Sequence, residues 1–191
     1  MTSQDYKAMM RAAKGQLAGN WLNAAIVTLI YVVIVSAASS IYVGQLIVAG
    51  PLALGYALYI INLANSHRSD MGILFSGFNR FLETLVAGLL ISIATAIGLA
   101  LLIVPGIIVA CGFSMTYFIM ADDSTVSGID AMKRSWNLMN GHKMEYFVLN
   151  LRFIGWILLS CLTLGILCLW VAPYMQAAYL NFYRKIRYGS F

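Results

Sequence analysis

What this chain has least of is charge. Asp, Glu, Lys and Arg make up 10% of its 191 residues, against ~25% in an ordinary soluble domain. None of them, and no histidine, occurs in residues 15–66, 84–121 or 153–183, stretches of 52, 38 and 31 residues. Hydrophobic residues reach 61%. Uncharged apolar runs of this length exclude a soluble globular domain, because a membrane-crossing helix needs only ~20 apolar residues. The expectation is an integral membrane protein forming a single transmembrane bundle over residues 1–191.

Other shortages narrow the chemistry. There are three cysteines, Cys111, Cys161 and Cys168, all in apolar runs with no histidine or carboxylate spaced to join them. They read as small packing residues, not a disulfide framework or a metal site. The two histidines, His67 and His142, stand alone in polar settings and read as solvated or interfacial. No His-Glu metal pair, activated nucleophile or phosphate-cradling glycine loop appears, so no catalytic residue, metal or cofactor is expected. The net charge of +5 does not indicate nucleic acid, because its Lys and Arg flank apolar segments, where they set orientation and meet anionic headgroups.

Length divides the apolar stretches into six helices. The first stretch holds two, about Trp21–Ser40 and Leu46–Asn65, and the second two, about Glu83–Val104 and Ile107–Ala121, separated at Pro105-Gly106. The third is too long for one span (~46 Å at 1.5 Å per residue) and too short for two, so its helices borrow flanking residues: about Met144–Leu162 and Ile166–Arg187, turning at Thr163-Leu164-Gly165. With six crossings, all 12 Lys and Arg fall on one side. The positive-inside rule makes that side the cytoplasm, with both termini there. Five crossings would strand Arg184, Lys185 and Arg187 outside. Lys7, Arg11 and Lys14 before an apolar run, with Ser36-Ala37-Ala38 after it, loosely resemble a cleavable leader. The run continues past that point, so the segment is expected to be retained.

A threefold pattern runs through the chain. Leu17…Gly19…Trp21, Leu74…Gly77-Phe78…Phe81 and Leu138…Gly141…Tyr146-Phe147 each open a unit, and Pro51, Pro105 and Pro173, the only prolines, mark a helix break near the second helix of each. The glycine-to-proline spacings are 32, 28 and 32 residues. The expected architecture is all-α, three helical hairpins with amphipathic segments on the cytoplasmic side, in units of about 3–66, 67–124 and 125–191. Bilayer thickness alone would also impose similar spacings. Repeats matter because many transporters are built from them.

Residues 125–141 read as an amphipathic helix lying on the membrane, capped by Ser127 with Asp130 and stopped at Asn140-Gly141. Ile129, Met132, Trp136 and Met139 share a face, and Lys133 and Arg134 lie elsewhere, so Lys133, Arg134 and Trp136 are the candidate membrane-surface residues. Residues 3–20, with Lys7, Arg11 and Lys14, repeat the pattern less strongly. The loop around 67–80 carries Phe75, Phe78 and Phe81 as interfacial anchors. Arg152 is the one charge inside an expected span, ~10 Å deep. It either snorkels or binds an anionic headgroup or solute, with Glu83, Asp122 or Asp123 as its expected partners. Asn62, Asn150 and Asn181 make the same half of the bundle polar, and with Arg152 they form the candidate lipid- or solute-binding group. Small residues at Gly88, Ala94, Gly98 and Ala100 permit close helix contacts, within the chain or between chains.

The second half resembles the DUF975 family of bacterial membrane proteins. The residues that carry the likeness are Val104-Pro105-Gly106-Ile107-Ile108, Ser114-Met115-Thr116, Met120-Ala121-Asp122-Asp123, Ala131…Ser135 and Leu138-Met139-Asn140-Gly141-His142-Lys143. They continue in Phe153-Ile154-Gly155-Trp156, Leu162-Thr163-Leu164-Gly165-Ile166 and Pro173-Tyr174-Met175-Gln176-Ala177-Ala178…Phe182-Tyr183. Arg11-Ala12…Leu17…Gly19-Asn20-Trp21 also fits. Asn140 departs from the pattern, which often has Lys before the glycine. The resemblance implies a multi-helix protein of the bacterial plasma membrane with no established activity. A more distant likeness, to the membrane domain fused to some glycerophosphodiesterases, is an analogy of fold and does not fix function.

Two functions are expected from these features. One is a non-enzymatic accessory, scaffold or envelope-homeostasis protein that binds membrane lipids, another membrane protein or its own copies. The alternative is a transporter or exporter of an amphipathic or anionic solute, which needs a cavity opening beside Arg152. A third, weaker expectation is lipid-headgroup chemistry at Asp122-Asp123.

Overall fold

The computed structural model describes residues 3–39, 42–66, 70–101, 103–163 and 165–189. Of the sequence expectations, those on His67, Ser40 and Leu164 fall outside them. The described chain is all helical, with no strand among the described residues. In order it forms α1 (Ser3–Leu17), α2 (Trp21–Ser39), α3 (Tyr42–Ser66), a 3-10 helix (Met71–Arg80), α4 (Phe81–Leu101), α5 (Ile103–Phe113), α6 (Thr116–Asp122), α7 (Gly128–Leu138), α8 (Lys143–Leu162) and α9 (Cys168–Tyr188). Among the described residues, five segments are long and apolar enough to cross a membrane: Trp21–Ala38, Ile47–Ser66, Met71–Ala100, Val104–Asp122 and Lys143–Leu162. The expected sixth, α9, falls short because Gln176, Asn181, Arg184, Lys185 and Arg187 dilute its apolar residues.

The prolines do not break helices where expected. Pro51 and Pro173 lie inside α3 and α9. Each costs one ladder bond by lacking an N–H, yet the helix continues because packed neighbours hold it on both sides. Pro105 falls in the first turn of α5, two residues after its start. The first-turn amides have no intrahelical partner, so nothing is lost there. The unexpected break comes later, at Ser114-Met115. The Ser114 amide and hydroxyl both donate to the Cys111 carbonyl, at 3.3 and 2.7 Å. A hydroxyl bonded back onto the ladder bends a helix, and α5 hands over to α6.

α3 is the hub, packing against α1, α2, the 3-10 helix, α4, α6 and α9. Glycine makes this possible. A side chain at Gly55 would overlap the Leu74 carbonyl, and one at Gly77 the Pro51 carbonyl, so α3 and the 3-10 helix meet backbone to backbone. Gly50 gives the same access to the Thr84 carbonyl on α4. Small residues allow such approach where lipid offers helices no hydrophobic drive to associate. The loop expected over 67–80 is therefore a helix from Met71, with Leu74 and Gly77 buried and Phe75 and Phe78 exposed as anticipated. Gly98 lies against Gly106 and brings α4 onto α5, whereas Ala100 is exposed.

Packing density divides the molecule in two. At the charged end the fully buried side chains include Met9, Leu17, Leu52, Tyr59, Leu74, Met120, Phe153, Phe182 and Tyr183. Towards the opposite end the helices turn apolar side chains outward: Val33 on α2, Ile97 and Leu99 on α4, Leu158 and Leu162 on α8. Of the cysteines, only Cys111 packs inside; Cys161 and Cys168 are exposed on that apolar surface, and all three are free thiols.

Candidate functional site

Each long pair α2–α3 and α8–α9 is led in by a shorter helix and a left-handed glycine. Gly19 (φ 82°) joins α1 to α2, and Gly141 (φ 84°) joins α7 to α8. A side chain in that conformation is strained, so glycine is needed to reverse direction so tightly. The middle unit departs from this, since Gly77 is helical and passes straight into α4.

α1 buries Tyr6, Met9, Ala13 and Leu17. It runs antiparallel along α9: Lys185 Nζ meets Asp5 at 2.6 Å, the Asn181 amide donates to the Met9 carbonyl at 3.2 Å, and Lys14 lies over the Tyr174 ring. Gln16 donates to Asn181 Oδ1 at 2.9 Å. α1 is thus strapped to the bundle. Its exposed flank carries Lys7, Arg11 and Lys14 at spacings of four and three, around a recess of about 190 Å³ floored by Met10 and by Tyr174 of α9. No carboxylate pairs with these three among the described residues.

α7 begins as expected, with Ser127 Oγ accepting from the Asp130 amide at 3.2 Å and donating to the Asp130 carboxylate at 2.8 Å. The residues expected to share an apolar face divide: Met132 and Met139 are buried, while Ile129 and Trp136 sit at the exposed edge, and Gly128, Ala131 and Ser135 also face inward. The reason is backbone proximity: a side chain at Gly128 would strike the Glu83 carbonyl, and Ser135 Oγ donates to the Gly112 carbonyl at 2.8 Å. Small residues, not large ones, mark the contact line. Lys133 is exposed, 3.9 Å from Asp130, and Arg134 reaches Asp123 at 3.2 Å.

The four residues nominated as a binding group do not converge. Asn62 donates to the Leu58 carbonyl of its own helix at 3.0 Å. Asn150 donates to the Tyr146 carbonyl at 2.9 Å and accepts from Tyr179 at 2.7 Å. Asn181 is the buried strap of α1. The Arg152 guanidinium lies 4.6 Å over the Tyr6 ring and reaches Ser3 Oγ at 3.4 Å, with its Nε buried and unpartnered among the described residues. Its expected partners are engaged elsewhere: Glu83 by Arg80, Asp122 by Arg187 at 2.7 Å, Asp123 by Arg134. Arg152 therefore holds the start of α1.

The acidic pair splits between two helices. Asp122 Oδ2 accepts from Tyr183 at 3.2 Å and Tyr188 at 2.5 Å besides its Arg187 pair, latching the end of α9. Asp123 accepts from the Thr125 hydroxyl at 2.6 Å and the Thr125 amide at 3.0 Å. Those bonds, with Arg134 adding its charge, hold the Asp123 carboxyl below the usual aspartate range. Arg80 crosses between elements, donating to Glu83, to the Val126 carbonyl and to the Met120 carbonyl at 3.1 Å. His142 bonds Glu145 at 2.7 Å. The tyrosine latch had no sequence signal, because its members are 61 to 66 residues apart. The basic face of α1 did have one, in the helical spacing of its three cations.

The family model described as "Protein of unknown function (DUF975)" matches residues 93–190, just over half of the chain. No curated protein and no solved structure matches it. Residues 93–190 contain the α5–α6 bend, the acidic pair, α7 and the α8–α9 pair, and the chain belongs to the DUF975 family.

Proposed function

We propose that this is a non-enzymatic plasma-membrane protein, an accessory or scaffold factor of the bacterial envelope that works by binding anionic lipid and partner helices at its charged end. The observation that carries the reading is how the charges are used. Six carboxylates, Asp5, Glu83, Asp122, Asp123, Asp130 and Glu145, are paired inside the chain with Lys185, Arg80, Arg187, Arg134, Lys133 and His142. Lys7, Arg11 and Lys14 are left facing outward as a surplus on an amphipathic helix, which suits a headgroup layer.

Six crossings in three hairpins fit this reading. α2, α4, α5 with α6, α8 and α9 are each about 28–31 Å long at 1.5 Å per residue, and α3 is longer. That matches the ~30 Å hydrocarbon core. α9 tolerates its polar residues because α1, α2, α3 and α8 surround it and little of it would meet lipid. Six crossings keep Arg184, Lys185 and Arg187 on the side of the other charges, the cytoplasmic side under the positive-inside rule.

The transport reading would need Arg152 to line an open path, whereas Tyr6 and Ser3 occupy it. The enzymatic reading would need free carboxylates at Asp122 and Asp123, and both serve as ties. The test is purification in mild detergent followed by identification of retained phospholipid. Anionic lipid is expected to be enriched over the bulk membrane, and the triple change Lys7→Gln, Arg11→Gln, Lys14→Gln to reduce it. Solute flux in proteoliposomes that disappears on Arg152→Ala would overturn the proposal.

A further inference from the structure

Lys143 is a cation without a carboxylate in ion-pair range among the described residues. Its ammonium lies 3.4 Å from the centroid of the Trp136 ring, well inside cation–π range. Gly112 makes the arrangement possible: a side chain there would overlap the Trp136 ring, so the indole lies directly on the α5 backbone with the Lys143 chain beside it. Directly beside the stack, α5 and α8 separate into a groove of about 390 Å³ lined by Val104, Ile107, Ile108, Cys111, Met144 and Phe147, with Lys143 as the only charged group. The volume is that of a small-ligand site, and the composition, apolar walls with one polar anchor, is the usual one.

We infer that this groove holds one acyl chain of an anionic phospholipid, with the phosphate on Lys143. Charge complementarity selects the occupant. The groove lies between two apolar segments of membrane-crossing length, so a lipid chain is its natural filler, and a lysine at its rim with no carboxylate favours a phosphate without a compensating cation on the headgroup. A neighbouring recess of about 380 Å³ on the other side of Trp136 is also apolar, but its Lys133 faces Asp130. That internal partner removes the preference for an anion there. The Trp136 face holds the Lys143 ammonium in place without neutralising it, so it is oriented before lipid arrives.

This inference rests on the lipid-binding reading above and adds a defined site to it. The test uses the full chain in nanodiscs containing phosphatidylglycerol or phosphatidylcholine with the same diazirine-bearing acyl chain, photolysed and mapped by peptide mass spectrometry. Adducts on residues 104–111 and 144–147 are expected to be about fivefold more frequent with phosphatidylglycerol, the preference one surface lysine supplies. Lys143→Gln should equalise the two lipids. Ile108→Trp, which fills the groove and leaves the charge, should remove adducts at 144–147 for both. Equal labelling by the two lipids in the unaltered protein, or unchanged labelling in Lys143→Gln, would overturn the site. If the site fails while the α1 triple change still abolishes retention of anionic lipid, the broader function stands; if no anionic lipid is retained by the unaltered protein, both fall.

Discussion

The charged end and the apolar end of this molecule are built from the same helices but obey different rules. At the charged end, ties cross long sequence distances: Lys185 to Asp5, Asn181 to Met9, Arg187 and two tyrosines to Asp122. Glycines there face backbone carbonyls, as Gly55, Gly77 and Gly128 do, and large side chains such as Tyr59, Phe182 and Tyr183 are fully buried. At the apolar end, Gly155 has open space around it, and Leu158 and Leu162 face outward. Hydroxyls there bond back to their own helix, as Ser160 does to the Trp156 carbonyl at 2.8 Å. The contrast teaches where structure is specified. Lipid is as good a solvent for leucine as another leucine is, so apolar surface alone does not fix how helices pack. Close backbone contacts and paired polar groups do; the ion pairs gather at one end, while Gly98 against Gly106 supplies a backbone contact towards the other.

The contrast is broken most severely by overfilling the closest contact. Gly77→Val would force the 3-10 helix off α3 and is expected to cost about 3 kcal/mol or more. The fraction remaining monodisperse after heating in detergent should fall sharply, while Gly155→Val at the apolar end should stay within about 0.5 kcal/mol of the parent. Equal losses for the two would remove the distinction between the ends. Next comes Asn181→Leu, which leaves the Met9 carbonyl and the Gln16 side chain without their partner inside the bundle. A cost of about 1–3 kcal/mol is expected, with faster hydrogen exchange across α1 in particular.

Asp122→Asn should have a smaller effect. It weakens a partly exposed tie on α9 worth about 1 kcal/mol, and trypsin should cut sooner after Arg184, Lys185 or Arg187. The smallest effect is a pH dependence at Asp123. Its carboxyl is held below the ordinary value when folded, so its tie contributes fully above ~pH 4, the unfolded carboxylate range, and is lost as the pH falls through the lower folded value. The Asp123→Asn protein should lack that acid-side component in a comparison of thermal midpoints from pH 6 to pH 3. An identical pH profile for the two proteins would show the tie to be idle.

Much of the fold was legible because it follows from local composition. The ends of α2 and α8 fall within a residue of the expected positions, and the Ser127–Asp130 cap forms as its spacing implies. What went astray involved partners distant in sequence. Pro105-Gly106 looked like the boundary between α4 and α5, which instead falls between Leu101 and Ile103, and a further break comes where Ser114 bonds the Cys111 carbonyl. The large apolar residues of α7 were legible as one face, but not which of them the bundle would cover: Met132 and Met139 are buried and Ile129 and Trp136 exposed, because Gly128 and Ser135 sit against neighbouring backbone. Arg152 looked like a partner for Glu83, Asp122 or Asp123, yet α1 reaches it first.

By itself, the sequence determined that the chain forms helices long and apolar enough to cross a membrane, and that its charge gathers in a few clusters. Those outcomes depend on the transfer of side chains between water and hydrocarbon, a property each segment carries wherever it is placed. Only the tertiary structure decided which cations are neutralised and which remain free. Pairing depends on distances between helices, and those distances are set by a few glycines meeting carbonyls from other parts of the chain.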